Sequence, residues 1–422
     1  MIAFPLLDKK LRINTLLKLS AELGGRAATF LLLLWAARQL TTAEFGNYNY
    51  ALAVGFVLVQ VADFGLQLLL SREVAKLNTA ARPQVLATFH LKLWLSLPVL
   101  LVLIWIALRQ ESNGLVVFLL GITLLLQTFV DLVAHIFRGQ QQLAVEAQLS
   151  VWVRVGTAVF GFYILWQGGQ LVGLALVSLA IMVSGLGLAL WQLRRAGWIS
   201  QFRQLWPTTL PTTAVSQRLL QQAWPLGISI FLSIAYTRLA VLLLAAWRDA
   251  EAVALYSAAW RLVEPTQILP ASLLAAVFPA FSLALAQDRQ RASRLGWQTS
   301  LLLGLAGSLV ALAFWFSAPW LVDWLYGPSF ADTVPVLRLL GLTVLPVYLN
   351  YSLTHYLIAQ GQQRILTGLT AVTLCLHALF CWLFIPRFGL SGPALSVLLV
   401  ESVLFLGCLW ALRQPVLLET AV

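Results

Sequence analysis

Long apolar stretches, separated by short polar segments, follow one another along the whole chain. A transmembrane helix needs about 20 consecutive, predominantly apolar residues to cross a bilayer. The eighth apolar stretch is too long for one straight helix, and its prolines at 265, 270 and 279 predict that it is kinked or broken. The pattern predicts twelve transmembrane helices, at residues 16–37, 47–70, 85–108, 115–137, 145–166, 171–193, 223–247, 253–285, 298–322, 335–359, 364–385 and 391–412.

The composition excludes a soluble globular protein. Hydrophobic residues make up 60% of the chain and charged residues 10%, whereas an ordinary globular domain has about 25% charged residues. The mean hydropathy is +0.86. We therefore expect an all-α polytopic membrane protein. The sequence contains no glycine-rich phosphate loop, zinc-protease motif or disulfide framework, so it predicts no catalytic residue, metal site or cofactor.

The net charge of +11 is explained by membrane orientation. The basic residues are dispersed between apolar runs, which argues against nucleic-acid binding. Seventeen of the 27 Lys and Arg residues fall on the side of the amino terminus, and only four fall in the opposite loops. Because cytoplasmic loops carry the excess of basic residues, both termini are predicted to be cytoplasmic.

The longest polar stretch lies in the middle of the chain and separates six predicted helices from six. Short similarities across it, AEFGNYNYA (43–51) with AEAVALYSAA (250–259) and RGQQQ (138–142) with QGQQR (360–364), indicate an internal duplication. An even number of helices in each half predicts bundles related by a pseudo-twofold axis along the membrane normal. The predicted organisation is an N-terminal six-helix bundle at 1–193, a cytoplasmic linker at 194–222 and a C-terminal six-helix bundle at 223–422.

Ionisable side chains inside the predicted helices are the candidate functional residues, because a charge at the bilayer centre costs about 2.5–3.5 kcal/mol on insertion scales. Steps of three and four residues place polar groups on one face of a helix. Such stripes occur in the second helix (Asn49, Gln60, Asp63, Gln67), the fourth (Gln127, Asp131, His135, Arg138) and the fifth (Glu146, Ser150, Arg154, Thr157).

Structural explanations stay open for most of these charges. Glu22 with Arg26, and Arg261 with Glu264, fit intrahelical pairs that neutralise each other as well as they fit a binding site. Asp63, Arg138 and Glu146 lie near predicted helix ends, where snorkelling to the interface explains them. Asp131 and His135 fit proton coupling and a plain hydrogen bond equally well.

Four segments resemble the bacterial polysaccharide flippases: ARQLTTAEFGNYNYALAVGFVLVQVADFGLQLLLSREVAK (37–76), FRGQQQLAVEA (137–147), ALYSAAWRLVEPTQILPASLLAAVFPAFS (254–282) and WLYGPSFADTVPVLRLLG (324–341). These are the O-antigen type translocases of the multidrug, oligosaccharidyl-lipid and polysaccharide exporter superfamily. The resemblance implies a MATE-like architecture in the bacterial cytoplasmic membrane. It also implies movement of an undecaprenyl-diphosphate-linked oligosaccharide to the outer leaflet by alternating access, coupled to an ion gradient and without enzymatic activity.

The resemblance gives the charged and aromatic residues their expected roles. We expect a monomer surrounded by membrane lipids, with a polysaccharide polymerase and glycosyltransferases as partners. Packing or an interfacial belt is the competing explanation for the aromatic residues. The candidates are Arg26, Arg154, Arg238 and Arg261 for the diphosphate; Tyr48, Tyr256, Trp260 and Tyr351 for sugar stacking; and Glu22, Asp131, His135 and Glu264 for ion coupling.

Two other functions compete with this hypothesis. A drug or cation antiporter of the same architecture would depend on acids such as Asp131, Glu22 and Glu401. A membrane-bound polymerase or ligase is disfavoured, because the predicted outer loops are short and the only long loop is cytoplasmic.

Overall fold

The computed structural model describes residues 9–110, 113–198 and 213–413, and all regular secondary structure in these ranges is helical. The central part of the predicted linker, at 199–212, lies outside the described residues. The α-helices are α1 (Lys9–Gln39), α2 (Thr42–Asp63), α3 (Leu66–Leu77), α4 (Arg82–Arg109), α5 (Gly114–Gly139), α6 (Leu143–Trp166), α7 (Leu171–Arg195), α8 (Thr213–Trp247), α9 (Ala250–Val263), α10 (Ile268–Gln287), α11 (Arg289–Tyr326), α12 (Thr333–Ala359), α13 (Gln363–Phe388) and α14 (Gly392–Arg413).

The described helices confirm a polytopic membrane protein. By length and hydropathy ten helical stretches can cross a membrane, and eleven when the bent pair α2 and α3 is taken as one span. One stretch, Gln363–Arg413, is 51 residues long, although about 20 residues suffice for a bilayer. The 3₁₀ turn Gly389–Ser391 divides it into α13 and α14. The predicted twelve spans are reached only when α13 and α14 are counted separately.

The eighth predicted helix is broken, as its prolines predict. α9 ends at Val263, a 3₁₀ turn covers Glu264–Gln267, and α10 begins at Ile268. Pro265 lies in this turn, where its missing N–H removes a helical hydrogen bond.

The chain divides into two compact units, Met1–Arg238 and Leu239–Val422. The boundary lies inside α8, and the first part of this helix belongs to the first unit. There Leu219 and Ala223 join an apolar cluster with Leu66 of α3. The predicted limits of the two bundles remain a prediction.

Each unit is organised around one central helix. In the first unit α5 packs against α2, α3, α4, α6 and α7, and in the second α12 packs against α9, α10, α11, α13 and α14. The apolar stretches of α5 and α12 are the most deeply buried of those in their units. Because each is the fourth span of its half, this arrangement supports the duplication.

The two central helices end in the same hydrogen-bonded turn. After α5 the backbone N–H groups of 140, 141 and 142 donate to the carbonyls of 136, 138 and 137, and after α12 those of 360, 361 and 362 donate to 356, 358 and 357. Gln141 and Gly361 both have positive φ. Equivalent residues of the two turns are therefore 220 positions apart in the chain. Aligning the segments RGQQQ and QGQQR by residue type would instead place them 222 positions apart.

A sharp bend separates α2 from α3 and sets the position of Asp63. Phe64 (φ 42°) and Gly65 (φ 76°) adopt left-handed conformations, and the two helices meet at 42°. A Cβ atom on Gly65 would lie 2.9 Å from the backbone nitrogen of Gly227. Glycine at 65 therefore permits both the turn and the close approach of α8.

Replacing Gly65 by alanine is expected to destabilise the protein. The left-handed conformation costs a non-glycine residue about 1–2 kcal/mol, and the contact with Gly227 adds to this. Thermal unfolding of the purified protein in detergent measures the effect. Gly24→Ala is the matched control, because a Cβ there meets nothing within 4 Å. A Gly65→Ala protein that melts at or above the control temperature would contradict this explanation of the bend.

Candidate functional site

A polar cavity of about 250 Å³ lies inside the first unit. Its apolar wall is formed by Phe56, Val59, Leu68, Leu124 and Ile230. Its polar wall is formed by Gln60 and Asp63 of α2, Gln67 of α3, and Gln127, Thr128, Asp131 and His135 of α5. The polar stripes predicted for the second and fourth membrane helices therefore meet in one cavity.

A buried ion pair joins the cavity wall to α4. The Lys92 ammonium donates to Oδ1 of Asp63 at 2.8 Å, and the Lys92 side chain is 0% exposed. The same nitrogen lies 5.7 Å from the centre of the Phe129 ring. The snorkelling interpretation is wrong for Asp63, which is buried and holds a cation that no solvent reaches.

His135 and Asp131 are linked through the backbone and not through the carboxylate. Nδ1 of His135 lies 2.8 Å from the carbonyl oxygen of Asp131, and Nε2 lies 3.1 Å from Nη1 of Arg138. A guanidinium only donates, so Nε2 accepts and Nδ1 carries the hydrogen, which is a neutral tautomer assigned from the hydrogen bonds. Within the described residues the Asp131 carboxylate makes no hydrogen bond and no ion pair.

Glu146 is held by basic side chains from two neighbouring helices. Arg138 of α5 donates to Oε1 through both Nε and Nη2, and Nζ of Lys18 on α1 lies 3.0 Å from the same oxygen. The Glu146 side chain is only 6% exposed. Glu146 therefore does not snorkel, because two cations on other helices compensate it inside the unit.

Glu22 pairs across helices more closely than within its own. Nη1 of Arg154 on α6 lies 2.9 Å from Oε2 of Glu22, whereas Nε of Arg26 lies 3.8 Å away. Gly25 allows this arrangement, since a Cβ there would lie 2.8 Å from Cδ of Arg154. Arg26, with 64% of its side chain exposed, is the more accessible of the two arginines.

These contacts form two ionic groups on α1, α5 and α6, one around Glu146 and one around Glu22, which together we call the basic cluster. Its basic side chains exceed its acidic ones by two. A diphosphate diester carries two negative charges at neutral pH. One guanidinium group can donate hydrogen bonds to two phosphate oxygens at once. The cluster is therefore suited to an anion of this charge. Its members are Lys18, Arg26, Arg138 and Arg154 with Glu22 and Glu146.

The remaining candidates of the first unit are Arg238 and Tyr48. The guanidinium of Arg238 lies 4.7 Å from the centre of the Phe56 ring, which also lines the cavity. This is a cation–π geometry. Tyr48 is buried inside the unit.

The candidates of the second unit differ in their exposure. Tyr256 is buried, Trp260 and Arg261 are half-buried, and Glu264 is exposed in the 3₁₀ turn after α9. Tyr351 is half-buried and stacks on His355, with ring centres 6.2 Å apart. The roles expected for these residues remain predictions.

Lys18, Lys92 and Asp63 are contact residues that the sequence interpretation did not assign to a site. Neither Lys18 nor Lys92 is among the candidates predicted from the sequence. Their partners lie 128 and 29 residues away along the chain. Spacing along one helix cannot reveal such pairs.

Family models and a curated protein match the chain. The model described as polysaccharide biosynthesis protein matches residues 11–285, and the one described as lipid II flippase MurJ matches residues 216–421. A putative O-antigen transporter of Shigella dysenteriae is 25% identical over 195 residues, which cover 46% of this chain and 48% of that protein. The match thus spans about half the length of this relative.

Solved transporter structures share the fold over nearly the whole chain. An inward-facing multidrug resistance MATE family transporter of the MOP superfamily has a TM-score of 0.74 at 15% identity, covering 94% of this chain and 96% of that one. Lipid II flippase MurJ in an inward closed conformation has a TM-score of 0.68 at 12% identity, covering 94% and 88%. The predicted MATE-like architecture is confirmed.

Removing Lys92 alone is expected to destabilise the first unit. Loss of one partner from a buried ion pair typically costs about 3–5 kcal/mol, because the other charge is left buried. Lys92→Met should lower the unfolding temperature in detergent strongly, and the double variant Lys92→Met with Asp63→Asn should recover most of the loss. Lys76→Met is the control, because Lys76 is 72% exposed beside Glu73. Equal unfolding temperatures for Lys92→Met and Lys76→Met would contradict the buried ion pair.

Proposed function

The chain belongs to the polysaccharide biosynthesis protein family, and on this basis we propose that it moves an undecaprenyl-diphosphate-linked oligosaccharide from the cytoplasmic to the outer leaflet. It is a multi-pass membrane protein of a transporter family and not an enzyme. The observation that carries the proposed substrate is the basic cluster. Its excess of two positive charges equals the charge of the diphosphate that joins the lipid to the sugar.

Within the cluster Arg26 and Arg154 are the groups proposed to contact the diphosphate. Arg26 is largely exposed and Arg154 is 33% exposed. Lys18 and Arg138 hold Glu146 in place. Arg238 and Arg261 remain further candidates for the diphosphate, as Tyr48, Tyr256, Trp260 and Tyr351 do for the sugars.

The transport cycle proposed for the chain is alternating access, coupled to an ion gradient through one or more of Glu22, Asp131, His135 and Glu264. Its proposed site is the bacterial cytoplasmic membrane, with both termini on the cytoplasmic side. The chain is proposed to act as a monomer, and a polysaccharide polymerase and glycosyltransferases are its proposed partners. The excess of basic residues in alternate loops supports the orientation.

Arg26→Ala and Arg154→Ala are each expected to reduce export of surface polysaccharide. A hydrogen bond to a charged group is worth about 1.5–3 kcal/mol, which is about tenfold to a hundredfold in affinity. The measurement is complementation of a flippase-deficient strain, with surface glycan quantified against the amount of inserted protein. The double variant should fall below either single variant.

Arg109→Ala serves as the matched control, since Arg109 is exposed at the end of α4 and lies over its own helix neighbour Trp105. It should retain full export. If the double variant of Arg26 and Arg154 inserts normally and exports as much glycan as this control, the assignment of the diphosphate site is wrong.

A cation antiporter is the second candidate function, and the acidic cavity is the observation that favours it. Asp131 presents a carboxylate there without a bonded partner among the described residues. An antiporter would extrude cationic drugs from vesicles, would lose this activity in Asp131→Asn, and would be insensitive to Arg26→Ala. Drug efflux with that mutational pattern, in a protein that does not restore glycan export, would replace the flippase proposal.

A further inference from the structure

We propose that Asp63, Lys92 and Asp131 form a one-proton site inside the first unit, in which Asp131 takes up the proton and Lys92 is shared between the two carboxylates. The proposal deepens the ion coupling of the proposed function and rests on it for its role in transport. The site itself can be tested without any glycan.

The charge of the site carries the first step. Two carboxylates face one ammonium group, which donates at 2.8 Å to Asp63. Asp131 lies within electrostatic range of both of these residues. The three side chains therefore sum to one negative charge inside a membrane-spanning bundle, where an uncompensated charge is costly. One monovalent cation makes the site neutral.

The two arginines nearest to Asp131 in charge terms are each already bonded to another carboxylate. The charged groups that act on it are Lys92 of α4, Asp63 of α2, Arg138 of α5 and Arg154 of α6. Arg138 is bonded to Glu146, and Arg154 to Glu22. The cavity residues from α3 and α8 are Gln67, Leu68 and Ile230, and α7 has no acidic or basic residue before Arg194.

The hydrogen bonds select Asp131 over its neighbour His135 as the proton acceptor. Both ring nitrogens of His135 are engaged, Nδ1 with the Asp131 carbonyl and Nε2 with Arg138. A proton on Nε2 would face the guanidinium at 3.1 Å. The Asp131 carboxylate faces the cavity and needs to break no bond in order to bind a proton.

The size of the cavity favours a proton over an organic cation. Its volume of about 250 Å³ is below the range of about 300–1,000 Å³ typical of small-molecule sites. Within the described part of the chain, no three His, Cys, Asp or Glu side chains are grouped so that they could hold a metal ion. A proton requires only one carboxylate oxygen.

The proposed step is a simple protonation. A proton binds one carboxylate oxygen of Asp131 and forms a neutral carboxylic acid, while Lys92 stays on Asp63. When the proton leaves, Asp131 is again an anion and can accept one of the three hydrogens of the Lys92 ammonium. The site alternates between neutral and singly negative, and no other bond is made or broken.

Infrared difference spectroscopy of the full chain in lipid vesicles tests the site directly. The carboxylic-acid C=O band is followed while the pH is changed, with no glycan present. We expect a titrating band from a buried acid that is absent in Asp131→Asn and retained in Glu251→Gln, whose acid is exposed on α9. A band that survives in Asp131→Asn overturns the assignment of the acceptor.

The double variant Lys92→Met with Asp63→Asn tests the sharing of Lys92. The comparison is with Asp63→Asn alone, because both variants lack the Asp63 carboxylate and differ only in the ammonium. Loss of the ammonium removes its attraction for the Asp131 anion, so the band should titrate at least one pH unit higher in the double variant than in Asp63→Asn, which is about tenfold in proton affinity. Equal midpoints in these two variants overturn the sharing. If the double variant does not fold, the Asp131→Asn variant still tests whether Asp131 is the proton acceptor.

Two further measurements separate this proposal from its competitors. Replacing potassium by sodium in the buffer should leave the titration unchanged, and a band suppressed by sodium would overturn proton specificity. An intact Asp131 band in a chain that moves no lipid-linked glycan contradicts the proposed function alone. Normal glycan export by the unsubstituted chain, together with no titrating band from Asp131, contradicts the one-proton site alone.

Discussion

A charge inside a membrane bundle is costly unless an opposite charge compensates it, and this constraint organises most of the charged groups of the first unit. Lys92 meets Asp63 across α4 and α2, and Arg154 meets Glu22 across α6 and α1. The partners of the second pair are 132 residues apart in the chain. A broken buried pair leaves a charge that the surroundings cannot solvate. These contacts therefore specify which helices become neighbours as well as compensating the charges.

Glycine residues leave the space in which the ion pairs form. At Gly25 the side chain of Arg154 crosses α1 within the space that a Cβ would occupy. At Gly65 the chain turns and α2 ends, so that Asp63 lies at the cavity beside Lys92. The ion pairs of the first unit thus depend on two uncharged residues, Gly25 and Gly65.

Much of the fold followed from the sequence, because hydropathy and helical spacing are local properties. They predicted a polytopic helical protein, the break at Pro265 and the polar faces that meet in the cavity. They could not predict partners on different helices. Sequence distance favoured Arg26 as the partner of Glu22, whereas the structure gives the shorter contact to Arg154.

The two central helices show that matching residue types and matching backbone geometry give different alignments. Matching letters aligned Gly139 with Gly361, but the turns align Gln141 with Gly361, since both residues hold the left-handed conformation. A glutamine can occupy such a position at a modest cost in energy. The two turns therefore share a backbone conformation at a position where their residue types differ.

The corrected register shows how the two central helices have diverged. With a shift of 220 residues His135 corresponds to His355, and each ring binds the carbonyl four residues earlier, at 2.8 and 2.7 Å. Asp131, however, corresponds to Tyr351, and Arg138 to Ile358. The histidine contact is shared by the two helices, whereas the acid and its basic neighbour in α5 correspond to an aromatic and an aliphatic residue in α12. At this position of the second unit an aromatic residue, Tyr351, therefore stands in place of the carboxylate proposed to bind the proton in the first unit.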